Sequence, residues 1–204
     1  MRLIGMMDSP FVRRVAISLR LMQLPFTHEQ ISVFRHYDDF AKVNPVVKAP
    51  TLVTDSGTVL MESSLILDYA NQLSPPALRL LPEDLEARAQ ALRLVGLALI
   101  ACEKTAQIVY ERSLRPAEKQ YEPWIQRVHG QLLAAYRLLE AEFGAIEGWP
   151  SGARPLQQDV SVAVAWRFTQ SVLAEMVEAR QFPRLVDFSA RAEASPAFLS
   201  APID

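Results

Sequence analysis

The first third of the chain alternates short apolar runs with segments whose apolar residues recur at helical spacing. Residues 3–6 form an apolar run that is typical of a short buried strand. Residues 10–24 then carry apolar side chains on one helical face, with a proline in the first turn and Pro25 after the last one. Residues 26–32 weakly favour a second strand. The pattern therefore predicts a strand, a helix and another strand in succession.

A hairpin is predicted in the middle of the same region. Residues 51–54 and 58–61 are two apolar runs, and the Asp-Ser-Gly sequence at residues 55–57 between them favours a turn. Residues 64–73 return to helical spacing. The predicted order is β-α-β-(α)-β-β-α, which describes one α/β domain over residues 1–75.

Beyond a proline-rich linker at residues 76–84, the pattern of residues 85–204 is helical throughout. Two long segments space their apolar residues alternately by four and three, which is typical of the seams of an antiparallel bundle. In the first, the predicted seam consists of Leu85, Leu92, Leu99 and Ala106, with Val95, Cys102 and Val109 between them. In the second, it consists of Tyr121, Ile125, Val128, Leu132, Ala135 and Leu139.

The end of the chain continues this helical domain. Residues 144–155 break the pattern with glycines and prolines. Residues 160–177 are apolar on nearly all sides, which predicts a helix at the centre of the bundle. A short last helix is predicted over residues 185–192.

Composition and charge exclude several classes of function. The chain has 204 residues, half of them apolar, and a net charge of −2, so its charge does not favour nucleic acid or an acidic membrane as a partner. Its single cysteine, Cys102, cannot form an internal disulfide or a cysteine zinc site, and the three histidines lack ligand spacing. No signal peptide is recognisable, and the longest apolar run, residues 95–102, is too short to span a bilayer. We therefore expect a soluble, cytoplasmic protein without a metal.

The sequence Asp8-Ser9-Pro10 stands where the first strand gives way to the first helix. Serine often caps a helix by accepting a hydrogen bond from an N–H of the first turn. The same position also places a hydroxyl donor beside the positive end of a helix, where an anion is stabilised. These residues alone leave both functions open.

Three motifs in order give the chain a family resemblance. Ser9-Pro10-Phe11 follows the first strand, NPVVKAPTLV occupies residues 44–53, and MESSLILDY occupies residues 61–69. Together with the all-helical second half, they resemble the cytosolic glutathione S-transferase superfamily, and the serine-type and bacterial members in particular. The resemblance implies a thioredoxin-like N-terminal domain followed by an all-helical C-terminal bundle.

The resemblance also implies a glutathione site. Ser9 would stabilise the thiolate of glutathione as the catalytic residue, and a cis Pro50 would turn the backbone of Ala49 toward the cysteinyl part. Glu62 and Ser63 would hold the γ-glutamyl head group. The remaining glutathione-binding candidates are Phe11 and, as cations for the glycyl carboxylate, Lys48, Arg35 and His36.

Each of these residues has a plainer alternative function. Ser9, Glu62 and Ser63 could serve only as helix caps. Pro50 could be an ordinary trans proline at the start of an edge strand. Each of the cations could be solvated surface.

A further motif of the superfamily concerns the central helix of the second domain. The superfamily usually begins this helix with Ser/Thr-x-x-Asp, whereas residues 156–159 are LQQD here. We expect a structural function for Asp159, and we expect the start of the helix to be satisfied through Gln157.

The sequence leads to a first hypothesis and several alternatives. The first is a homodimeric, cytoplasmic glutathione transferase that acts in detoxification. It joins the thiolate of glutathione, its co-substrate, to small apolar electrophiles. The second is a protein that binds glutathione or a partner without catalysis. The third is a glutathione-dependent isomerase, dehalogenase or peroxidase. The fourth is a disulfide oxidoreductase, and the sequence argues strongly against it because Ser9 and Val12 occupy the positions of its two cysteines.

Overall fold

The computed structural model describes residues 1–143 and 148–203. Its contacts divide the chain into one unit formed by Met1–Leu81 with Ala194–Asp204, and a second formed by Pro82–Glu193. The predicted break at residues 144–155 falls partly outside the described residues, because residues 144–147 are not among them.

The first unit is built on a sheet of four short strands. They are β1 (Arg2–Ile4), β2 (Thr27–Glu29), β3 (Thr51–Val53) and β4 (Val59–Met61), and the helices of this region are α1 (Pro10–Leu21), α2 (Tyr37–Val43) and α3 (Ser63–Leu73). The strand order is β2-β1-β3-β4, with β1 and β2 parallel and the other two pairs antiparallel. The predicted order of elements, the hairpin and the thioredoxin-like fold are therefore confirmed.

Helix α1 forms where its apolar face predicts it. Its predicted inner residues are all buried: Val12, Val15, Ala16, Leu19 and Met22. The helix ends at Leu21 rather than at residue 24, and Gln23 follows with a φ of 57°. Strand β1 also ends early, at Ile4, because Gly5 has a φ of 139° and turns the chain.

The second unit is helical, as predicted. Its α-helices are α4 (Leu85–Leu114), α5 (Glu122–Glu142), α6 (Gln157–Val172) and α7 (Pro183–Glu193). Helix α4 packs against both α5 and α6, and α6 also packs against α7. The predicted central helix is confirmed by α6, in which every residue from Gln157 to Trp166 is buried, although the helix spans Gln157–Val172 rather than residues 160–177. Among the described residues, no helix is both long enough and apolar enough to cross a membrane.

The predicted seam of α4 is wrong for its leucines. Leu85 and Leu92 are 80% and 47% exposed. Val95 and Cys102 of the predicted seam are buried as expected, and the rest of the buried face consists of Ala91, Ala98, Ala101, Thr105 and Ile108. Small side chains occupy this face because α4 meets two neighbouring helices there, and close approach of backbones leaves little room. The predicted seam of α5 is confirmed except at Tyr121, which precedes the helix and is exposed.

The end of the chain packs with the first unit. A short helix α8 (Pro196–Leu199) contacts α1, and Phe198 and Ala201 are buried. The side chain of Arg13 lies over the Phe198 ring at 5.7 Å and donates from Nε to the Ala201 carbonyl at 2.8 Å. The predicted helical domain, which extended to residue 204, therefore differs from the observed unit, which ends at Glu193.

Candidate functional site

Ser9 lies at the N-terminus of α1, in the N-cap position. Its Oγ is 3.5 Å from the N–H nitrogen of Val12, which is at the long limit of a hydrogen bond. The side chain is only partly buried, and α1 has no acidic residue in its first turn. The cap is therefore weak, and the hydroxyl proton can be donated to an anion beside the positive end of the helix.

Gly5 brings three segments of the first unit together. A β-carbon at Gly5 would lie 2.5 Å from Cγ2 of Val12 and 3.3 Å from Cβ of Ala49. The end of β1, the first turn of α1 and the turn before β3 therefore meet at this glycine. The absence of a side chain is what allows Ala49 to approach the turn that carries Ser9.

The turn at residues 44–50 has a defined shape. The Ala49–Pro50 peptide bond is cis, in agreement with the resemblance. Asn44 is buried, and its Nδ2 donates to Oγ1 of Thr51 at 2.8 Å while its Oδ1 accepts from the N–H of Val46 at 3.1 Å. Thr51 Oγ1 donates in turn to the Lys48 carbonyl at 2.7 Å. A buried amide and hydroxyl thus fix the backbone on both sides of the turn.

The same turn places Lys48 beside Phe11. The Lys48 ammonium lies 5.9 Å from the centre of the Phe11 ring, within the range of a cation–π contact. Phe11 belongs to the first turn of α1, two residues after Ser9. The structure therefore brings Lys48, Ala49, Pro50 and Phe11 into the neighbourhood of Ser9.

Glu62 and Ser63 form the start of α3. Glu62 is the N-cap, with a φ of 72°, a conformation that costs a non-glycine residue about 1–3 kcal/mol. Its carboxylate accepts from the N–H of Ser64 at 3.0 Å and lies 3.5 Å from Oγ of Ser63. The alternative in which Ser63 caps this helix is wrong, because the helix already includes Ser63 and Glu62 supplies the cap. Backbone held in a costly conformation is typical of binding sites.

Arg14 is a residue of this neighbourhood that the sequence analysis missed. Its side chain is 2% exposed, and its Nη1 donates to Oγ of Ser63 at 2.9 Å and to Oγ of Ser64 at 3.3 Å. The signal in the sequence was a pair of adjacent arginines, Arg13 and Arg14, between apolar residues of α1. Buried arginines occur almost only where they have partners.

Comparisons with known proteins agree with this geometry. Residues 3–77 match the family described as the N-terminal domain of glutathione S-transferase. The uncharacterized GST-like protein YibF of Escherichia coli K12 is 28% identical over 151 residues, which are 73% of this chain and 69% of that protein. A glutathione S-transferase from Methylobacterium radiotolerans, solved in complex with glutathione sulfonate, matches with a TM-score of 0.89 at 26% identity, over 98% of this chain and 93% of that one. The chain belongs to the cytosolic glutathione S-transferase superfamily.

One further relative concerns the reaction type. Maleylacetoacetate isomerase of Pseudomonas aeruginosa is 29% identical over 201 residues, which cover 92% of this chain and 89% of that enzyme. Both transferases and an isomerase are thus similar to this member of the glutathione S-transferase superfamily.

The other two residues predicted to bind the glycyl carboxylate of glutathione lie in a separate turn. Arg35 and His36 are exposed and precede α2. Nδ1 of His36 accepts from the N–H of Ser32 at 3.2 Å, and the N–H of Arg35 donates to Oγ of Ser32 at 3.2 Å. The contacts described here connect both residues to Ser32, whereas Lys48 is the candidate in contact with Phe11.

At the start of α6, Asp159 of the superfamily motif itself accepts a hydrogen bond from the backbone. The N–H of Leu156 donates to Oδ2 of Asp159 at 2.8 Å. Gln157, which we expected to satisfy the helix start, donates from Nε2 to Oγ of Ser161 at 3.4 Å. Burial raises the pKa of the Asp159 carboxyl, against hydrogen bonds from Leu156 and Ser151 that lower it. This geometry fits the structural function expected of Asp159.

Proposed function

We propose that this protein is a glutathione transferase in which Ser9 stabilises the thiolate of bound glutathione. The single observation that carries the proposal is the Ser9 hydroxyl at the N-terminus of α1, weakly bonded to Val12 at 3.5 Å and only partly buried. A free thiol has a pKa of about 8.5, so little of it is ionised at neutral pH. A donated hydrogen bond and the positive helix end both favour the anion.

The other residues of the site are assigned to the rest of the tripeptide. Ala49, beside the cis Pro50, would pair its backbone with the cysteinyl part of glutathione. The ammonium of Lys48 would bind the glycyl carboxylate, and its contact with Phe11 supports this choice over Arg35 and His36.

The γ-glutamyl end is assigned to the start of α3. Glu62 would pair with its ammonium group, and Ser63 would donate to its α-carboxylate. The positive end of a helix supports the binding of a carboxylate at this point.

In the proposed reaction, the sulfur of the thiolate attacks an electrophilic carbon of a small apolar substrate. A sulfur–carbon bond forms, and the electron pair of the broken bond leaves with the displaced group. The protein contributes a lowered thiol pKa and the alignment of the two reactants.

A second candidate is a glutathione-dependent isomerase. The similarity to maleylacetoacetate isomerase over 92% of this chain favours it. In that reaction glutathione would add to the substrate and be released again, so the same thiolate and the same Ser9 would be needed. Product analysis distinguishes the two candidates, because only the transferase consumes glutathione.

The test compares the wild type with Ser9→Ala. Glutathione binding is measured by calorimetry, and the thiolate absorbance of bound glutathione is followed against pH in the same samples. A hydrogen bond to a charged group contributes about 1.5–3 kcal/mol, so we expect Ser9→Ala to raise the pKa of the bound thiol by about 1–2 units while binding survives.

Ser195→Ala is the matched control, because Ser195 is also a helix N-cap residue followed by proline, at the start of α8. We expect it to leave the pKa of the bound thiol unchanged. If Ser9→Ala behaves like Ser195→Ala, Ser9 is a helix cap only. If the wild type binds no glutathione, the proposed function is wrong and a protein partner becomes the better hypothesis.

A further inference from the structure

The carbonyl group of Gly5 is held by a side chain rather than by the sheet. Strand β1 ends at Ile4, and the N–H of Gly5 then donates to the Glu29 carbonyl at 3.1 Å. Gly5 is buried, so its own carbonyl oxygen needs a hydrogen-bond donor. Nε2 of His28, on β2, lies 2.7 Å from this oxygen. His28 therefore supplies the donor at the point where the chain leaves the sheet.

The contact also fixes the tautomer of His28. A carbonyl oxygen can only accept, so Nε2 of His28 must carry a hydrogen. His28 pairs in register with Leu3, two residues before Gly5 on β1. Residues two apart on a strand share a face of the sheet, so the ring reaches along that face to Gly5. The side chain of His28 is thus oriented by the sheet and restrains the turn that follows β1.

This restraint lies one residue away from a backbone hydrogen bond of Ser9. The carbonyl of Gly5 and the N–H of Met6 belong to one planar peptide unit, so holding the oxygen orients the whole plane. The carbonyl of Met6, in the next peptide unit, accepts from the N–H of Ser9 at 3.2 Å. Only the backbone dihedrals of Met6 separate the two hydrogen bonds. His28 therefore restrains the start of the turn whose end carries Ser9.

The Ser9 hydroxyl needs this restraint because its own contact is weak. Its Oγ is 3.5 Å from the N–H nitrogen of Val12, and the side chain is only partly buried. Hydrogen bonds weaken steeply with distance and angle, and a functional donor must be held within about 0.5 Å of its productive position. The backbone of the turn therefore decides where the hydroxyl of Ser9 lies.

We propose that His28 is a positioning residue that holds the turn of residues 5–9 so that the Ser9 hydroxyl is aimed at the sulfur of bound glutathione. The inference rests on the proposed function, in which Ser9 donates to that sulfur. His28 acts through the Gly5 carbonyl and not on the sulfur itself. Its loss therefore affects the ionisation of the thiol and leaves most of the binding of the tripeptide intact.

The test is a double-mutant cycle on the pKa of the bound glutathione thiol, read from the thiolate absorbance against pH. His28→Phe keeps a ring but cannot donate, and it is expected to raise that pKa by about 0.5–1 unit, the equivalent of one neutral hydrogen bond. In the Ser9→Ala background the same change is expected to raise it by less than about 0.2 unit, because the positioned hydroxyl is gone. Calorimetry is expected to show a loss of glutathione affinity of at most about 3-fold.

His28→Gln tests whether the N–H is the group that matters. The side-chain amide of glutamine places a donor near the position of Nε2, so the pKa of the bound thiol is expected to stay within about 0.2 unit of the wild-type value. If His28→Phe does not fold, His28→Val replaces it, because valine favours strands and also lacks a donor. The same rise and the same dependence on Ser9 are then expected.

His129→Phe is the matched control, because Nε2 of His129 also contacts a backbone carbonyl, that of Met176, at 2.8 Å. This bond lies in the second unit, between α5 and the segment that follows α6. The change is expected to lower stability in urea unfolding, as His28→Phe does, and to leave the pKa of the bound thiol unchanged.

The outcomes separate this inference from the proposed function. A wild type that binds no glutathione, or a thiol pKa that Ser9→Ala leaves unchanged, overturns both. A thiol pKa that responds to Ser9→Ala but not to His28→Phe overturns the inference alone. The inference is also overturned if the effect of His28→Phe persists without the Ser9 hydroxyl, if His28→Gln does not restore the wild-type value, or if His129→Phe reproduces the rise.

Discussion

Replacing Gly5 by alanine should destabilise the first unit more than a glycine substitution usually does. The φ of 139° costs a residue with a side chain about 1–3 kcal/mol. The new methyl group would also lie 2.5 Å from Cγ2 of Val12, which is fully buried and cannot turn away, and 3.3 Å from Cβ of Ala49. Overpacking of this kind costs about 1–3 kcal/mol. The two costs together predict a loss of about 2–6 kcal/mol in the free energy of unfolding.

Urea unfolding followed by circular dichroism measures this loss. Tryptophan fluorescence, recorded alongside, reports the second unit, because Trp124, Trp149 and Trp166 all lie there. Gly57→Ala is the matched control, since Gly57 also has a positive φ, of 87°, but nothing lies within 4 Å of its added β-carbon. It should lose only the backbone contribution of about 1–3 kcal/mol.

A second variant separates the two costs. Adding Val12→Ala to Gly5→Ala removes the methyl group that the new side chain meets, so the double variant should be more stable than the sum of the single effects by about 1–3 kcal/mol. If Gly5→Ala loses no more than Gly57→Ala, or if the two changes simply add, the close contact at Gly5 has been overestimated and the reasoning fails.

Three further predictions concern two buried polar side chains of the second unit. Asp159→Ala should cost about 1–2 kcal/mol in urea unfolding because the N–H of Leu156 loses its acceptor, whereas Asp159→Asn keeps an acceptor and should cost less. Burial raises the pKa of Asp159 above its ordinary 3.8, so the folded state favours the protonated carboxyl. The contribution of this carboxyl to stability therefore declines as pH rises from 3.8 through the raised pKa. Relative to Asp159→Asn, the wild type should therefore lose stability over that interval, and parallel pH profiles of the two proteins would contradict this reasoning. Tyr136→Phe should lower the free energy of unfolding by about 1–3 kcal/mol, because the buried hydroxyl donates to the Ala165 carbonyl at 2.9 Å. Tyr121→Phe, at an exposed position, should lower it by almost nothing. Equal effects of the two changes would show that the buried hydrogen bond contributes little.

The elements of the first unit could be predicted because their signals are local. A period of two or of 3.6 residues, a proline in the first turn and an Asp-Ser-Gly turn each specify the backbone over a few neighbouring residues. The seam of α4 could not be predicted in this way. Leu92 and Ala91, or Leu99 and Ala98, both repeat every seven residues, and hydropathy alone favours the leucines. The choice between the two faces depends on how closely α5 and α6 approach, which is a property of the assembled bundle.

The candidate site shows the same division between local and distant signals. The motifs predicted the turn that carries Ser9, the cis Pro50 and the start of α3, and the structure confirms the cis bond. The partner of Ser63 was missed because Arg14 lies on a different helix, 49 positions away in the sequence. Periodicity marks a charged residue within an apolar helix as an exception but does not identify what it contacts.

The second unit is a continuous insertion in the first. Residues 82–193 separate Met1–Leu81 from Ala194–Asp204, the segment that packs its Phe198 beside Arg13. During synthesis on the ribosome, the whole helical unit is therefore made before the segment Ala194–Asp204 of the sheet-containing unit. The helical bundle can bury its core cotranslationally, whereas the face of α1 that contacts Phe198 stays uncovered until the segment from residue 194 onward emerges. Completion of the sheet-containing unit in this sense depends on a segment that is synthesised after the whole helical unit.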